Sequence, residues 1–208
     1  MGAYYVNSEQ FLSKIDKGAW LEIGVERGEG STRWFSQLAK TRATKLYAVD
    51  AMNSQCDAVV SLLSENGKLP DHIEVINDFG ENFLLNFHTR NEKISLAYLD
   101  NFDWDYWLGR QEESFVPIIK DQYRQQFNTE MNNINSQYAH LVQAMLLCNY
   151  MTDNSIIICD DTWYHPAEGI FIGKCSAAIP YLCTQGFEVI HYEGYRQNSG
   201  VILGRFKG

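Results

Sequence analysis

Seven short apolar runs, separated by longer amphipathic segments, constrain this 208-residue chain more than any other feature. They are WLEIGV (20–25), KLYAVD (45–50), HIEVIN (72–77), ISLAYLD (94–100), SIIICD (155–160), FEVIHYE (187–193) and GVILGRF (200–206). Each has the length of a strand, and near-continuous apolarity suits strands covered on both faces. The segments EQFLSKI, STRWFSQLAKT, CDAVVSLLSEN, FGENFLLNF and GIFIGKCSAAIPYLCTQ read as helices. Strands alternating with helices predict an α/β chain, a three-layer sandwich around a seven-stranded, mostly parallel sheet. The last two runs, joined by the turn-rich GYRQNS, read as an antiparallel C-terminal hairpin.

The alternation lapses once, between Asp100 and Asn154. This stretch opens aromatic (NFDWDYW), turns polar (KDQYRQQFNTEMNN) and ends in a helical pattern, INSQYAHLVQAMLLCNYM. There Tyr138, Leu141, Val142, Met145 and Leu146 recur at three- and four-residue spacing, which predicts a core-facing stripe. The polar middle reads as a long loop, and such insertions serve as lids or partner surfaces. No repeat or linker divides the chain, so residues 1–208 read as one domain with an insertion at about 101–154.

The stretch WLEIGVERGEGSTRWF reads strand, tight turn, helix. Glu22 and Gly24 close the strand, Gly28 and Gly30 lie in the turn, and Ser31 and Thr32 open the helix. Glycines admit positive φ and close approach of a ligand, and the helix start offers unpaired N–H groups. A phosphate-binding P-loop needs GxxxxGK[ST], and the sequence has no Gly-Lys-Ser/Thr. A dinucleotide turn needs a third Gly or Ala where Arg33 stands.

What remains, ExGxxxGxG, resembles the first motif of class I S-adenosylmethionine-dependent methyltransferases. The resemblance runs on in register: Asp50 ends the second strand, Asn77 and Asp78 end the third, and the closing hairpin matches the family's inserted seventh strand. It implies a Rossmann-like fold and S-adenosylmethionine (SAM) as cofactor, with Glu22, Gly24, Gly28, Ser31, Asp50 and Asp78 around it. Asp50 would hold the ribose diol, since a carboxylate can accept two hydrogen bonds. Asp78 would lie near adenine, and Glu22 would face the methionine amino group or cap backbone amides.

The fourth and fifth strands both end in acid: Asp100 in LAYLDNFDW, and Asp160 with Asp161 in IIICDDTW. Two carboxylates about 4 Å apart repel by roughly 4 kcal/mol at a protein surface. Such a pair points apart, shares a proton, caps a helix or holds a cation. If the two strands are neighbours, three carboxylates meet at one edge, and oxygen-only ligands suit a hard ion such as Mg²⁺. The pattern resembles the metal-dependent O-methyltransferases of the catechol and macrolide-sugar types. That implies Asp100, Asp160 and Asp161 as metal ligands and deprotonation of an acceptor hydroxyl assisted by the ion. The catechol type carries a lysine base three residues after its first ligand, where this sequence has Asp103. His165 is then the candidate catalytic base, with Tyr164 second. Phe102, Trp104, Trp107 and Trp163 are candidates for an acceptor wall or for local core, Asp103 and Asp105 read equally as solvated loop charges, and His140 reads as a helix-face residue.

A formal charge of −9 without a basic run argues against nucleic acid as partner. No apolar run reaches the ~18 residues of a membrane span. MGAYYVNSEQ lacks the regions of a signal peptide, and five dispersed cysteines fit reduced thiols, so the expected location is cytoplasmic. The expected activity is O-methylation of a small hydroxylated acceptor; homo-oligomerisation is compatible with the sequence. A cofactor-binding scaffold of a biosynthetic complex, a metal-independent methyltransferase and a nicotinamide-dependent enzyme are the alternatives.

Overall fold

The computed structural model describes residues 4–105, 116–194 and 199–207. Seven strands form one sheet: β1 (Ala19–Ile23), β2 (Leu46–Asp50), β3 (Ile73–Asn77), β4 (Ile94–Leu99), β5 (Met151–Asp160), β8 (Glu188–Tyr192) and β9 (Gly200–Arg205). Their spatial order is β3-β2-β1-β4-β5-β9-β8. Pairings from β3 to β5 are parallel, while β9 runs antiparallel to both β5 and β8. Strand order reverses direction between β1 and β4, and such a switch point opens a crevice at the carboxyl ends of the strands.

Alternation along the strands sends side chains to two cores. Leu21, Ile23, Ala97, Leu99, Ile157 and Cys159 pack against α3 (Gly80–Asn86), α5 (Asn133–Leu147) and α6 (Ala178–Thr184). Trp20, Leu96, Tyr98, Ile156 and Ile158 face Phe35 and Ala39 of α1 (Ser31–Arg42) and Val59 of α2 (Asn53–Leu63). The three-layer, Rossmann-like sandwich expected from the sequence is the fold observed.

Four local expectations change. EQFLSKI is not an α-helix; the described N-terminal segment instead winds as a 3-10 helix, Tyr4–Phe11. The polar middle of the insertion holds a helix, α4 (Val116–Phe127). The segment GIFIGKCSAAIPYLCTQ is not one helix, because Ile170, Phe171 and Ile172 build strand β7 (Ile170–Gly173) against β6 (Thr162–His165). Gly173 at φ +113° ends β7, and only then does α6 begin. The fourth concerns α5. Its buried stripe is Ser136, His140, Gln143, Ala144 and Leu147, whereas Tyr138 and Met145, expected in the core, are exposed. Four of the 195–198 turn residues of GYRQNS, and Trp107, lie outside the described residues.

Candidate active site

The turn after β1 is pinned by backbone bonds. Gly24 N–H donates to Val49 O (2.9 Å), and Asp100 N–H donates to Ile23 O (2.9 Å), so the ends of β1, β2 and β4 are tied together. A Cβ on Gly24 would stand 2.6 Å from the Asn101 nitrogen, and its φ is +92°. This glycine is therefore set by the approach of the β4 terminus. Gly28, at φ +78°, packs over Val59 of α2.

Asp50 anchors the second wall. Its Oδ2 accepts from Val25 N–H (3.0 Å) and its Oδ1 from Met52 N–H (2.8 Å). Each oxygen keeps a lone pair for a further donor. Burial raises its pKa, and these amides pull it back in part. Asp78 Oδ1 accepts from Phe79 N–H (2.8 Å), and Asn77 donates from Nδ2 to Asp50 O (3.0 Å).

Glu22 is fully buried on the face of β1 toward α1, in register beside Tyr98. No donor among the described residues meets hydrogen-bond geometry at either carboxylate oxygen. Burial pushes its pKa from 4.5 up to about 8, and Ser31 and Thr32 at the start of α1 offset only part of that.

At the other end Asp100, Asp160 and Asp161 converge, with one ligand oxygen of each within 4.8 Å of the others. Asp161 holds a left-handed backbone (φ 46°), and Gly173 abuts it so closely that a Cβ there would meet Asp161 O at 2.0 Å. That contact brings in a residue the sequence reading missed. Lys174, 3% exposed, places Nζ 2.8 Å from Asp100 Oδ1 and 3.0 Å from Asp161 Oδ2. Its third donor reaches Asp100 O at 3.3 Å. Burial pulls the lysine pKa down, but Asp100, Asp161, Asp103 and Asp160 outweigh it and hold it well above the usual range. The ammonium stays charged and is no base. Burial, then the two neighbouring carboxylates, raises Asp160 well above the usual range. Asp100 is raised by burial, against the pull of Lys174.

One cavity of about 650 Å³ joins the two ends, from Asp50 and Asp78 to Asp100, Asp160, Asp161 and Lys174. Its outer wall is α4, through Ile119, Tyr123 and Phe127. Asp103 lines it too and is fixed by Tyr123, whose hydroxyl accepts from Asp103 N–H (2.8 Å) and donates to Oδ2 (3.1 Å). Asp105 is no solvated charge: it is buried and paired with Lys120 at 3.0 Å. Gly24 lines the cavity, whereas Glu22, Gly28, Ser31 and His165 do not. Of the candidate aromatic wall only Phe102 lines it, while Trp104 and Trp163 pack edge to face, both buried. His140 is wholly buried behind the cluster, and burial with the charge of Lys174 drives its pKa down to about 3.

The three carboxylates are the right donors for a hard divalent ion, but the lysine already holds two of them. An ion sharing an oxygen with the ammonium would lie within about 5 Å of it, given metal–oxygen bonds of about 2.1 Å. Charges of +2 and +1 at that separation repel by about 7 kcal/mol at an effective dielectric of 20. The residues present thus set Lys174 in competition with a divalent ion for two of the three carboxylates. They fit SAM, with a roomy crevice at the switch point, spare lone pairs on Asp50 and acidic residues facing a cationic cofactor.

No protein-family model and no curated protein matches the chain. Solved structures do. A candidate methyltransferase from Streptococcus mutans, in complex with SAH, is 16% identical over 99% of each chain, with a TM-score of 0.59. An rRNA methylase from Streptococcus thermophilus is 15% identical, covering 100% of this chain and 99% of its own, with a TM-score of 0.57. A glycopeptide N-methyltransferase complexed with SAM is 9% identical, covering 100% and 88%, with a TM-score of 0.53. At such identities the likeness is one of fold. The chain has the Rossmann-like fold of class I SAM-dependent methyltransferases. None of these three is named as a catechol or macrolide-sugar enzyme.

Proposed function

We propose that the protein is a SAM-dependent methyltransferase acting on a hydroxyl group of a small acceptor without a resident metal. The observation that carries this reading is the single cavity in which Asp50 and Asp78 face one end and the carboxylate cluster the other. SAM would bind with its ribose on Asp50 and its adenine near Asp78, with the sulfonium directed toward the cluster. The acceptor hydroxyl would donate to a cluster carboxylate, with Asp160 in its ionised form the leading base, because burial and the neighbouring carboxylates raise its proton affinity above that of an ordinary aspartate. As the new C–O bond forms, the C–S bond breaks, the electron pair stays on sulfur, and the hydroxyl proton passes to the carboxylate. Most of the rate would come from alignment of the two reactants in one enclosed space. His165, off the cavity, is then a residue of the β6–β7 hairpin.

Calorimetric titration with SAM tests the reading, and absence of binding in the micromolar range sinks it. Asp50→Ala is expected to weaken binding by at least about 10- to 100-fold, since even one hydrogen bond to a charged group is worth about 1.5–3 kcal/mol. If SAM binds but no hydroxylated, amine or thiol acceptor yields SAH, the scaffold alternative takes its place.

A further inference from the structure

We infer that the Lys174 ammonium is the built-in cation of the acceptor end, filling the place among Asp100, Asp160 and Asp161 that a divalent ion would take and keeping such an ion out. The inference takes from the proposed function only the use of this cluster as the acceptor end.

Three observations carry it. The first is saturation: the ammonium has three donors, and Asp100 Oδ1, Asp161 Oδ2 and Asp100 O accept at 2.8, 3.0 and 3.3 Å. Nothing is left over for an acceptor, so Lys174 organises carboxylates rather than substrate. The second is burial. At 3% exposure the side chain is not a surface lysine that has drifted onto an acidic patch. The third is construction. Lys174 N–H donates to Asp161 O (3.1 Å), Gly173 clears the space for that contact, and Asp161 adopts φ 46° to complete it. The backbone on both sides of the ion pair is shaped to hold the lysine where it is.

The charge pattern follows. Lys174 answers one of the three carboxylates, and Tyr98 donates to Asp100 Oδ2 at 3.2 Å. In the ionised cluster the oxygens not engaged by Lys174 or Tyr98 are hydrogen-bond acceptors, and all three aspartates line the cavity. An acceptor group must therefore be a donor, O–H or N–H, and a phosphate or carboxylate at that position is disfavoured.

The test is Mn²⁺ titration of the full chain, with free Mn²⁺ followed by its electron paramagnetic resonance signal. The wild type is expected to leave Mn²⁺ free into the millimolar range. Lys174→Met is expected to gain one site at least 10-fold tighter, and Asp160→Asn in that background to remove it. Where Lys174→Met unfolds alone, recovery of its thermal transition on adding Mn²⁺ is the same result. Lys174→Arg, which keeps the charge, is expected to stay folded and metal-free. A wild type that binds Mn²⁺ below millimolar concentration through Asp160 overturns the inference, as does a folded Lys174→Met that gains no site or, where Lys174→Met does not fold even with Mn²⁺, a folded Lys174→Gln that gains none. SAM binding on the same samples reports separately on the proposed function, so the two can fail independently.

Discussion

Replacing Glu22 by glutamine is expected to raise the melting temperature at pH 8 by roughly 10 °C and to change it little at pH 4.5. The carboxyl is fully buried with no donor in good hydrogen-bond geometry among the described residues, Ser31 and Thr32 offset the burial only in part, and its pKa moves from 4.5 to about 8 on folding. A carboxyl whose pKa is raised in the fold binds its proton more tightly there than in the unfolded chain. Its contribution is intact below the unfolded pKa and is lost as pH rises through the folded one. At about 1.4 kcal/mol per unit, the loss between those limits is about 3–5 kcal/mol. Glutamine mimics the neutral acid and cannot ionise, so the difference between the two proteins should grow steadily across that interval. In a chain of this size 1 kcal/mol shifts the transition by about 2–4 °C. Asp50, Asp100 and Asp160 are raised as well and add slopes of the same sign. The comparison with Glu22→Gln isolates one of them. Parallel melting profiles would show that Glu22 finds a donor, and the account of it as a neutral acid would be wrong.

Gly24→Ala is expected to cost about 3–4 kcal/mol of stability, read as a lower urea midpoint at unchanged slope. Left-handed backbone costs an L residue about 1–2 kcal/mol, and overpacking adds about 1–3. The new methyl would meet Asn101 N and Asp100 C, both at 2.6 Å, and backbone pinned into β4 cannot swing aside as a long side chain can. Gly67→Ala is the control. It has φ +78° but nothing within 4 Å, so only the smaller, conformational part should appear. Equal losses at the two positions would mean that the β4 terminus yields. Because Gly24 also lines the cavity, its alanine variant should be assayed for SAM only where it remains folded.

The sheet, the glycine turn and the meeting of Asp100 with Asp160 and Asp161 were legible because each rests on local pattern: apolar runs, a glycine between strand and helix, acid at strand ends. Lys174 was not. The run GIFIGKCSAAIPYLCTQ is apolar enough to pass for one helix, and the lysine's partner Asp100 lies 74 residues back along the chain. A hint was present in Ile170, Phe171 and Ile172 between two glycines, a strand-like composition. For α4 a signal existed and was outweighed by polarity. Ile119, Tyr123 and Phe127 stand four apart, and they are the residues that wall the cavity. In α5 the three- and four-residue spacing was real, but the helix turns Ser136, His140 and Gln143 inward, toward a polar site that periodicity of apolar residues cannot reveal. The expected ligands Asp100, Asp160 and Asp161 do meet, but the lysine that joins two of them comes from the end of the β6–β7 hairpin, which the sequence did not mark as a hairpin.

The hairpin that delivers Lys174 also sets an order of events during synthesis. The carboxylates of Asp100 and Asp161 leave the ribosome before their lysine does, and β5 can pair with β4 before β7 has folded back. Until that closure, the nascent sheet edge carries clustered negative charge with no internal partner. Refolding should therefore quicken with added salt, which screens that repulsion before the lysine arrives.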